Sequence, residues 1–487
     1  MLNLSNEIKM DIYANRHGLF REPLRAMQDR LNIDHVTLMR KSSEIKVEIE
    51  SSLKPRKETN RLIVSTVISL AMMGQMASRP IAAFVRRILG IQMEHDTVLN
   101  ILNLAGQAAN DIQNSTMTLA NAKTASFDEI FQNSNPLLVF TNNQSSVSFL
   151  KKANDRKEES WSSFIEELKL KQLDPTTVVG DGGPGLGSAI DKSHWGDRFV
   201  IDIFHCLEKT NEALRKMESI CYALLEELYK KESKDIDRRV AEYKDLKSKT
   251  DIAIDLYDKA NALLTKFRIH VRLGDPSEEQ YIPSHVLTTE VRDLTLIFGN
   301  FIETVSSHRK IKSAKSYLTN YQNQIALYKK KIESAIQQKY PEQFENIVNL
   351  ILPIVEYYDR YERSYENLTA QKYWADQIII TKNRAMAAFT EADFNLHINE
   401  IALIAAQFSR SNSNIENLNN QIRRYFEVYK SIPEWFPSLF SFYWNFRVFE
   451  RGKRKGYAPI EILLGGKLKT DWLDLILEKF PYEKVRI

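Results

Sequence analysis

The chain is poor in cysteine and has no long apolar stretch. Only two of its 487 residues are cysteines, Cys206 and Cys221, too few for a disulfide framework or a zinc site of their own. Two isolated thiols suit a reducing compartment. No apolar run reaches the roughly 20 residues that span a bilayer. The opening residues, MLNLSNEIKMDIYANRHG, lack the charged-then-apolar order of a secretory signal. We therefore expect a cytoplasmic protein with no membrane partner.

A large excess of charge of one sign is also missing. The chain has 67 basic and 63 acidic residues, a net charge of +4, which does not by itself indicate a nucleic-acid partner. The densest basic cluster lies in the segment FERGKRKGYAP. Such a run is either a solvated surface or a phosphate-binding patch, and both readings stay open. Its members are Arg451, Lys453, Arg454 and Lys455.

Three helices are predicted between residues 61 and 115. The first is the apolar segment RLIVSTVISLAMMG, and the second begins at Ser78 and ends at Gly90, a residue typical of helix C-caps. The link IQMEHD leads to the third. Two helices joined by a short turn are typical of a helix-turn-helix DNA-binding domain, although a plain helical bundle has the same pattern. Residues 1–60 form a polar, helical region of unassigned role. The basic residues of the second helix that would contact DNA are Arg79, Arg86 and Arg87.

Residues 122–206 change to an α/β pattern. ASFDEIF, PLLVFTN and SSVSFL are short β-favouring runs separated by turns, followed by a helix, the strand TTVVGD, a second helix and the strand RFVIDIF. The order β-β-β-α-β-α-β predicts a mixed sheet, so the fold class is mixed α/β. Residues 207–405 are predicted to be an all-α domain, and residues 406–487 to add one more helix and a basic C-terminal tail.

Three acidic residues stand out as candidate metal ligands. Asp128 lies in the first predicted strand, Asp181 ends the strand TTVVGD, and Glu416 lies on the helix SNSNIENLNNQIRRYFEVYK. Helical spacing places Asn420 and Arg423 on the same face as Glu416, beside an apolar stripe. Ends of neighbouring strands are where α/β active sites collect. A few carboxylates suffice for Mg²⁺, and two such ions can hold the attacking and leaving oxygens of a phosphodiester transfer.

A glycine-rich turn provides a competing interpretation. Gly180, Gly182 and Gly185 form G-x-G-x-x-G between a strand and a helix, the pattern of a dinucleotide site. Asp181 would, however, place a carboxylate in the turn that receives the pyrophosphate. Moreover, no β-α-β series follows residue 206. A dinucleotide-binding enzyme is therefore the less favoured alternative.

The segments TVVGDGGPGLGSAI, RFVIDIFHCLEKTNEAL and FYWNFRVFERGKRKGYAPIEILLGG resemble DDE-type DNA transposases of the Mutator-like and hAT-like branch. The resemblance covers residues 61–205 and 405–465. It implies an RNase H-like catalytic domain with a β-β-β-α-β-α-β-α plan, interrupted by a helical insertion before the final Glu. In that plan Asp128, Asp181 and Glu416 are the catalytic, metal-binding acids. Asp202 and His205 match a support motif on the fifth strand, and an alternative assignment makes Asp202 the second acid.

The resemblance implies a transposase that cuts and joins DNA at the terminal repeats of a mobile element. Its cofactors would be two Mg²⁺ or Mn²⁺ ions, and its partners double-stranded DNA and at least one further copy of the chain. Asn420 and Arg423 would support the site, and the basic residues named above would contact DNA. The expected location is the bacterial cytoplasm at the nucleoid, or the nucleus of a eukaryote. A catalytically silent DNA-binding derivative remains the alternative.

Overall fold

The computed structural model describes residues 57–485 except 134, 234–240, 279 and 453, together with the isolated positions 30, 34 and 37. Almost all of the predicted N-terminal region 1–60 and the basic residue Lys453 lie outside the described residues. Within that part of the chain, no helix has both the length and the apolar character needed to cross a membrane.

The fold is mixed α/β, as predicted, with one five-stranded sheet and many helices. The strands are β1 Thr124–Gln132, β2 Asn135–Thr141, β3 Ser148–Lys152, β4 Thr177–Gly180 and β5 Phe199–Ile201. The helices up to the sheet's last strand are α1 Lys57–Met72, α2 Ser78–Phe84, α3 His95–Thr116, α4 Glu158–Leu170 and α5 Pro184–Lys192. The later helices are α6 Ile203–Glu232, α7 Ala241–His270, α8 Ser284–Thr304, α9 Arg309–Ile325, α10 Leu327–Lys339, α11 Phe344–Asn346, α12 Leu352–Arg363, α13 Leu368–Ala385, α14 Glu391–Ala406, α15 Ser413–Val428, α16 Phe436–Phe446, α17 Pro459–Leu464 and α18 Trp472–Lys479.

The three predicted helices before the sheet are α1, α2 and α3. Gly90 ends the second of them, after a π-helical turn, with φ +68°, a conformation that glycine adopts without steric cost. The second helix begins at Ser78, as predicted, and Ala77 holds its N-cap position. Helix α3 packs against α1, α2, α16 and α18. The N-terminal helices therefore share a core with the C-terminal ones, and their helix-turn-helix role stays a prediction.

The sheet has the strand order β3-β2-β1-β4-β5. Strands β1, β2 and β3 form an antiparallel meander, while β4 and β5 run parallel to β1. Alternation along β1 points Phe127 and Asp128 to opposite faces. The ring of Phe127 meets Trp161 of α4 at a centroid distance of 6.1 Å. Asp128 faces α15, which packs across β1 and β2. Helix α15 thus lies over the face of β1 that carries the candidate acid.

Helix α16 closes the free edge of the sheet at β3. Asn445, fully buried, accepts a hydrogen bond from the backbone N–H of Ser148 at 2.7 Å and donates one to its carbonyl at 2.8 Å. The hydroxyl of Ser441 accepts from the N–H of Leu150 at 3.1 Å. An unpaired strand edge invites pairing with another chain. Here side chains of α16 provide hydrogen-bond partners for the backbone groups of this edge.

Residues 207–405 are helical apart from their turns, as far as the structure describes them. Helices α6, α7, α8 and α9 pack on one another in series, and α9 also contacts β5. Cys206 and Cys221, both on α6, are buried free thiols. The predicted helix that bears Glu416 is α15, and the chain returns to the sheet through it.

Candidate active site

Three aspartates lie level with one another in the sheet, Asp128 within β1, Asp181 after the end of β4 and Asp202 after the end of β5. In the β1–β4 pairing Ser126 lies opposite Val179, so two residues further on Asp128 lies level with Asp181. In the β4–β5 pairing Gly180 lies opposite Ile201, so Asp181 lies level with Asp202. Neighbouring strands are about 4.8 Å apart, and residues at one level of parallel strands point to the same face. The charge of Asp181 acts on Asp128, and we call Asp128, Asp181 and Asp202 the acid row.

Asp128 is the most perturbed member of the acid row. Its Oδ1 accepts from the N–H of Glu129 at 2.9 Å, and its Oδ2 accepts from the side-chain amide of Asn419 at 2.8 Å. Burial, and then the negative charge of Asp181, raise the pKa of Asp128 from 3.8 to about 7. The two hydrogen bonds and the charge of His205 act in the opposite sense without cancelling the increase. A positive charge bound beside Asp128 would favour its ionised form and lower this pKa.

Asp181 lies in the turn that follows β4. Its Oδ1 accepts from the backbone N–H of Gly183 at 2.8 Å, and Gly182 between them has φ +79°. The hydroxyl of Tyr317 on α9 donates to the carbonyl of Asp181 at 3.1 Å. Tyr321 of the same helix donates to the carbonyl of Gly182. Both tyrosines come from the helical region, and the sequence patterns did not single them out.

Asp202 and His205 occupy positions that differ from the predicted ones. The sequence predicts them on the fifth strand, but β5 ends at Ile201, and Asp202 is the N-cap of α6 with its Oδ1 accepting from Phe204 N–H at 2.9 Å. His205 therefore lies in the first turn of that helix, with Nε2 3.9 Å from Asp202 Oδ2. A carboxylate followed by helix-forming residues is a strong N-cap, which explains the early end of the strand. Burial raises the pKa of Asp202 to about 6.

Helix α15 brings Glu416 and Asn419 to the acid row. Glu416, in the first turn, is close enough to Asp202 for its charge to raise the pKa of that carboxyl. The backbone N–H of Asn412, the N-cap, donates to Asp202 Oδ2 at 3.4 Å. The predicted supporting residues Asn420 and Arg423 are not brought to the row. Both are exposed and hydrogen-bond to each other at 2.8 Å.

The side chains at the acid row suit divalent cations. Asn412 and Asn419 are each 2% exposed, and the Oδ1 of each is buried without a hydrogen-bond partner. Oxygen atoms of carboxylates and amides are what Mg²⁺ prefers, and it keeps several waters. Among the described residues no three His, Cys, Asp or Glu side chains stand close enough to ligate one ion.

Glu129 and Arg156 form an ion pair beside the acid row. Arg156 Nη1 lies 3.3 Å from Glu129 Oε1, whose side chain is 8% exposed. Burial and then the charge of Asp181 raise the pKa of Glu129, whereas Arg156 lowers it. The guanidinium of Arg156 is thus engaged with Glu129.

The candidate DNA-contacting residues lie in two segments. Arg86 donates to the carbonyl of Met93 at 2.6 Å. Arg454 donates to the carbonyls of Asn143 and Gln144, at 2.8 and 3.1 Å, in the loop that joins β2 to β3. Burial lowers the pKa of this Arg454 guanidinium. These bonds give Arg454 a role in holding the basic segment to the sheet. The exposed candidates are Arg79, Arg86, Arg87, Arg451 and Lys455.

The glycines of the G-x-G-x-x-G pattern each have a packing reason in this fold. A Cβ at Gly180 would lie 2.7 Å from Leu186, one at Gly182 would lie 2.7 Å from the ring of Tyr321, and one at Gly185 would lie 2.2 Å from the carbonyl of Arg156. Side-chain and backbone atoms of the protein itself therefore occupy the space that these glycines leave. The pattern needs no pyrophosphate to explain it.

Comparison of the chain with protein-family models and with curated protein sequences finds no match.

Proposed function

We propose that this protein is a DDE-type DNA transposase with an RNase H-like catalytic core, which cleaves DNA strands and joins them with the help of two divalent cations. The observation that carries the proposal is the acid row, in which Asp128 of β1 lies level with Asp181, the residue directly after the adjacent parallel strand β4, beneath a helix bearing Glu416. The element order from β1 to β5 agrees with the plan that the sequence resemblance implies.

Each acid has a distinct task in the proposed site. Asp128, flanked on the sheet by Asp181 and held by Asn419, would be a ligand shared by the two cations. Asp181 and Glu416 would each be a ligand of one cation. Bound Mg²⁺ would supply Lewis-acid activation of a water or 3′-hydroxyl and charge stabilisation at the phosphorus. Asp202, capping α6, orients His205 and sets the N-terminus of α15.

DNA is the proposed partner, with a second copy of the chain to bring two DNA ends together. The exposed basic residues in α2 and its π-helical extension and in the segment 451–455 would contact phosphates, which makes binding salt-dependent. Arg454 connects that segment to the β2–β3 loop. Asn143 of this loop accepts at Oδ1 from Ser126, at 2.9 Å. Ser126 lies two residues before Asp128 on the same face, so the basic segment flanks the acid row.

The test is strand cleavage on DNA that carries the sequences flanking the gene, with Mg²⁺ or Mn²⁺. We expect the wild type to cleave and Asp181→Asn to lose at least about 100-fold in rate while retaining DNA binding. Asp174→Asn is the matched control, because this aspartate precedes β4 and its side chain is 76% exposed. It should cleave like the wild type.

The same assay decides between Asp181 and Asp202 as the second acid. An asparagine at 202 still caps α6 through its Oδ1, so Asp202→Asn should keep most of the cleavage rate. Loss in Asp202→Asn with cleavage retained in Asp181→Asn would move the role to Asp202. Metal-dependent cleavage absent from the wild type, with DNA binding present, would favour the catalytically silent DNA-binding protein.

A further inference from the structure

Two tyrosines of the helical region hold the turn that carries Asp181. Tyr317 and Tyr321 lie one turn apart on α9, with ring centroids 5.1 Å apart. Their hydroxyls donate to two consecutive backbone carbonyls, those of Asp181 and Gly182. Tyr317 is only 8% exposed, and burial raises its pKa, so it remains a protonated donor.

One peptide unit transmits the contact from Tyr321 to the carboxylate. The carbonyl of Gly182 and the N–H of Gly183 belong to the same peptide plane. Tyr321 holds the carbonyl end of that plane, and the N–H end donates to Asp181 Oδ1 at 2.8 Å. Rotation of this plane would therefore break the bond that orients the carboxylate. Gly182, at φ +79°, makes such a rotation sterically easy unless something prevents it.

The backbone of helix α9 is irregular at the residue that makes this contact. Its backbone leaves helical geometry at Tyr321, with φ −119° and ψ 18°. The same helix packs against α6, α8 and β5, and Lys209 of α6 lies 5.3 Å above the ring of Tyr317. Movement within the helical region would consequently reach the turn through these two side chains.

We propose that Tyr317 and Tyr321 are positioning residues through which the helical region sets the orientation of the Asp181 carboxylate. The consequence for metal binding rests on the proposed function, whereas the restraint on the turn does not. Removal of the two hydroxyls, with the rings kept, should loosen the turn without emptying the space beside Gly182.

The experiment compares full-length wild type with Tyr317→Phe, Tyr321→Phe and the double variant. Tyr229→Phe is the control, because Tyr229 is 71% exposed and lies about 39 Å along α6 from its first residue. Two quantities are measured: Mn²⁺ binding, followed by the electron paramagnetic resonance signal of the free ion, and hydrogen–deuterium exchange of the peptide containing residues 181–187.

We expect the double variant to exchange faster in residues 181–187 and to bind Mn²⁺ about 10-fold more weakly, the usual size of an outer-sphere effect. The control should match the wild type in both. Unchanged exchange and unchanged Mn²⁺ affinity in the double variant would overturn the positioning role. Faster exchange in a protein whose wild type binds no Mn²⁺ would support the restraint on the turn and contradict the proposed metal site instead.

Discussion

At the scale of single residues, folding buries aspartates of the acid row, and burial disfavours their charged forms. Burial and Asp181 raise the pKa of Asp128 to about 7, and burial raises that of Asp202 to about 6. Both values exceed the ordinary 3.8, so the folded protein holds protons that the unfolded chain has released. The stability of the metal-free protein therefore falls as pH rises from about 4 to about 7.

The loss of stability with rising pH predicts that Asp181→Asn is more stable than the wild type at high pH. The variant keeps the Oδ1 that accepts from Gly183 but removes the charge that raises the pKa of Asp128. In EDTA at pH 8 its Tm should exceed that of the wild type by about 2 °C, since relief of roughly 1 kcal/mol gives a shift of this size. At pH 4 the two should melt together. Differential scanning fluorimetry across pH measures the difference, and a lower Tm for the variant at pH 8 would contradict the electrostatic account.

At the scale of elements, the rotation of α15 about its axis decides which side chains meet the acid row. Residues three and four positions beyond Glu416 both lie near its face, so sequence spacing alone admits Asn419 and Asn420. The structure turns Asn419 inward, where it is 2% exposed and donates to Asp128, and leaves Asn420 exposed. The apolar stripe that packs on β1 and β2 determines this rotation, and its members are Ile415, Leu418, Ile422 and Tyr425.

The two asparagines form a matched pair for mutation. Asn419→Ala removes the hydrogen bond that lowers the pKa of Asp128, so that pKa should rise further. A hydrogen bond to a charged group contributes about 1.5 kcal/mol, and the acidic limb of the pH–rate profile for cleavage should therefore shift up by about one pH unit. Asn420→Ala should leave the profile unchanged. A shift in the second variant and none in the first would show that the other face of the helix serves the site.

At the scale of the whole molecule, a buried ion pair joins the helical region to the acid row. Arg410, just before α15, contacts Glu356 of α12 through two hydrogen bonds of 2.8 and 2.9 Å. Its backbone carbonyl accepts from the N–H of Ile203 at 3.0 Å, next to Asp202. Burial would raise the pKa of Glu356, but the charges and hydrogen bonds of Arg410 and Arg360 outweigh it and lower that pKa to about 2.

Glu356→Gln should destabilise the protein strongly. The substitution leaves Arg410, whose side chain is only 25% exposed, without its charge partner, which costs about 3 kcal/mol, the lower end of the range for a fully buried pair. On the same helix, Asp359 pairs with Arg363 at 2.8 Å, where the two side chains are 33% and 63% exposed. Because such exposed pairs contribute under about 1 kcal/mol, Asp359→Asn is the control. Thermal unfolding near pH 7 compares them, and equal melting of the two variants would show that the buried pair does not hold the helical region to the sheet.

Local patterns in the sequence determined much of this protein. Short β-favouring runs, turn residues and apolar periodicity were sufficient to predict the three helices before the sheet, the five strands in order and the helix that bears Glu416. They also placed Asp181 directly after the strand β4, in the turn that follows it. These features depend on residues that are close together in the chain, so the pattern of the sequence is enough to predict them.

Contacts between distant residues were decided only by the tertiary structure. Asp202 accepts a hydrogen bond from the backbone N–H of Asn412, 210 residues later in the chain, so its contact with the N-terminus of α15 exists only in the folded protein. The choice of Asn419 over Asn420 depends on how α15 lies on the sheet. Tyr317 and Tyr321 reach a turn 136 and 139 residues before them, and no local pattern marks a tyrosine for that contact. Burial and convergence, which raise the pKa of Asp128, exist only once the chain has folded.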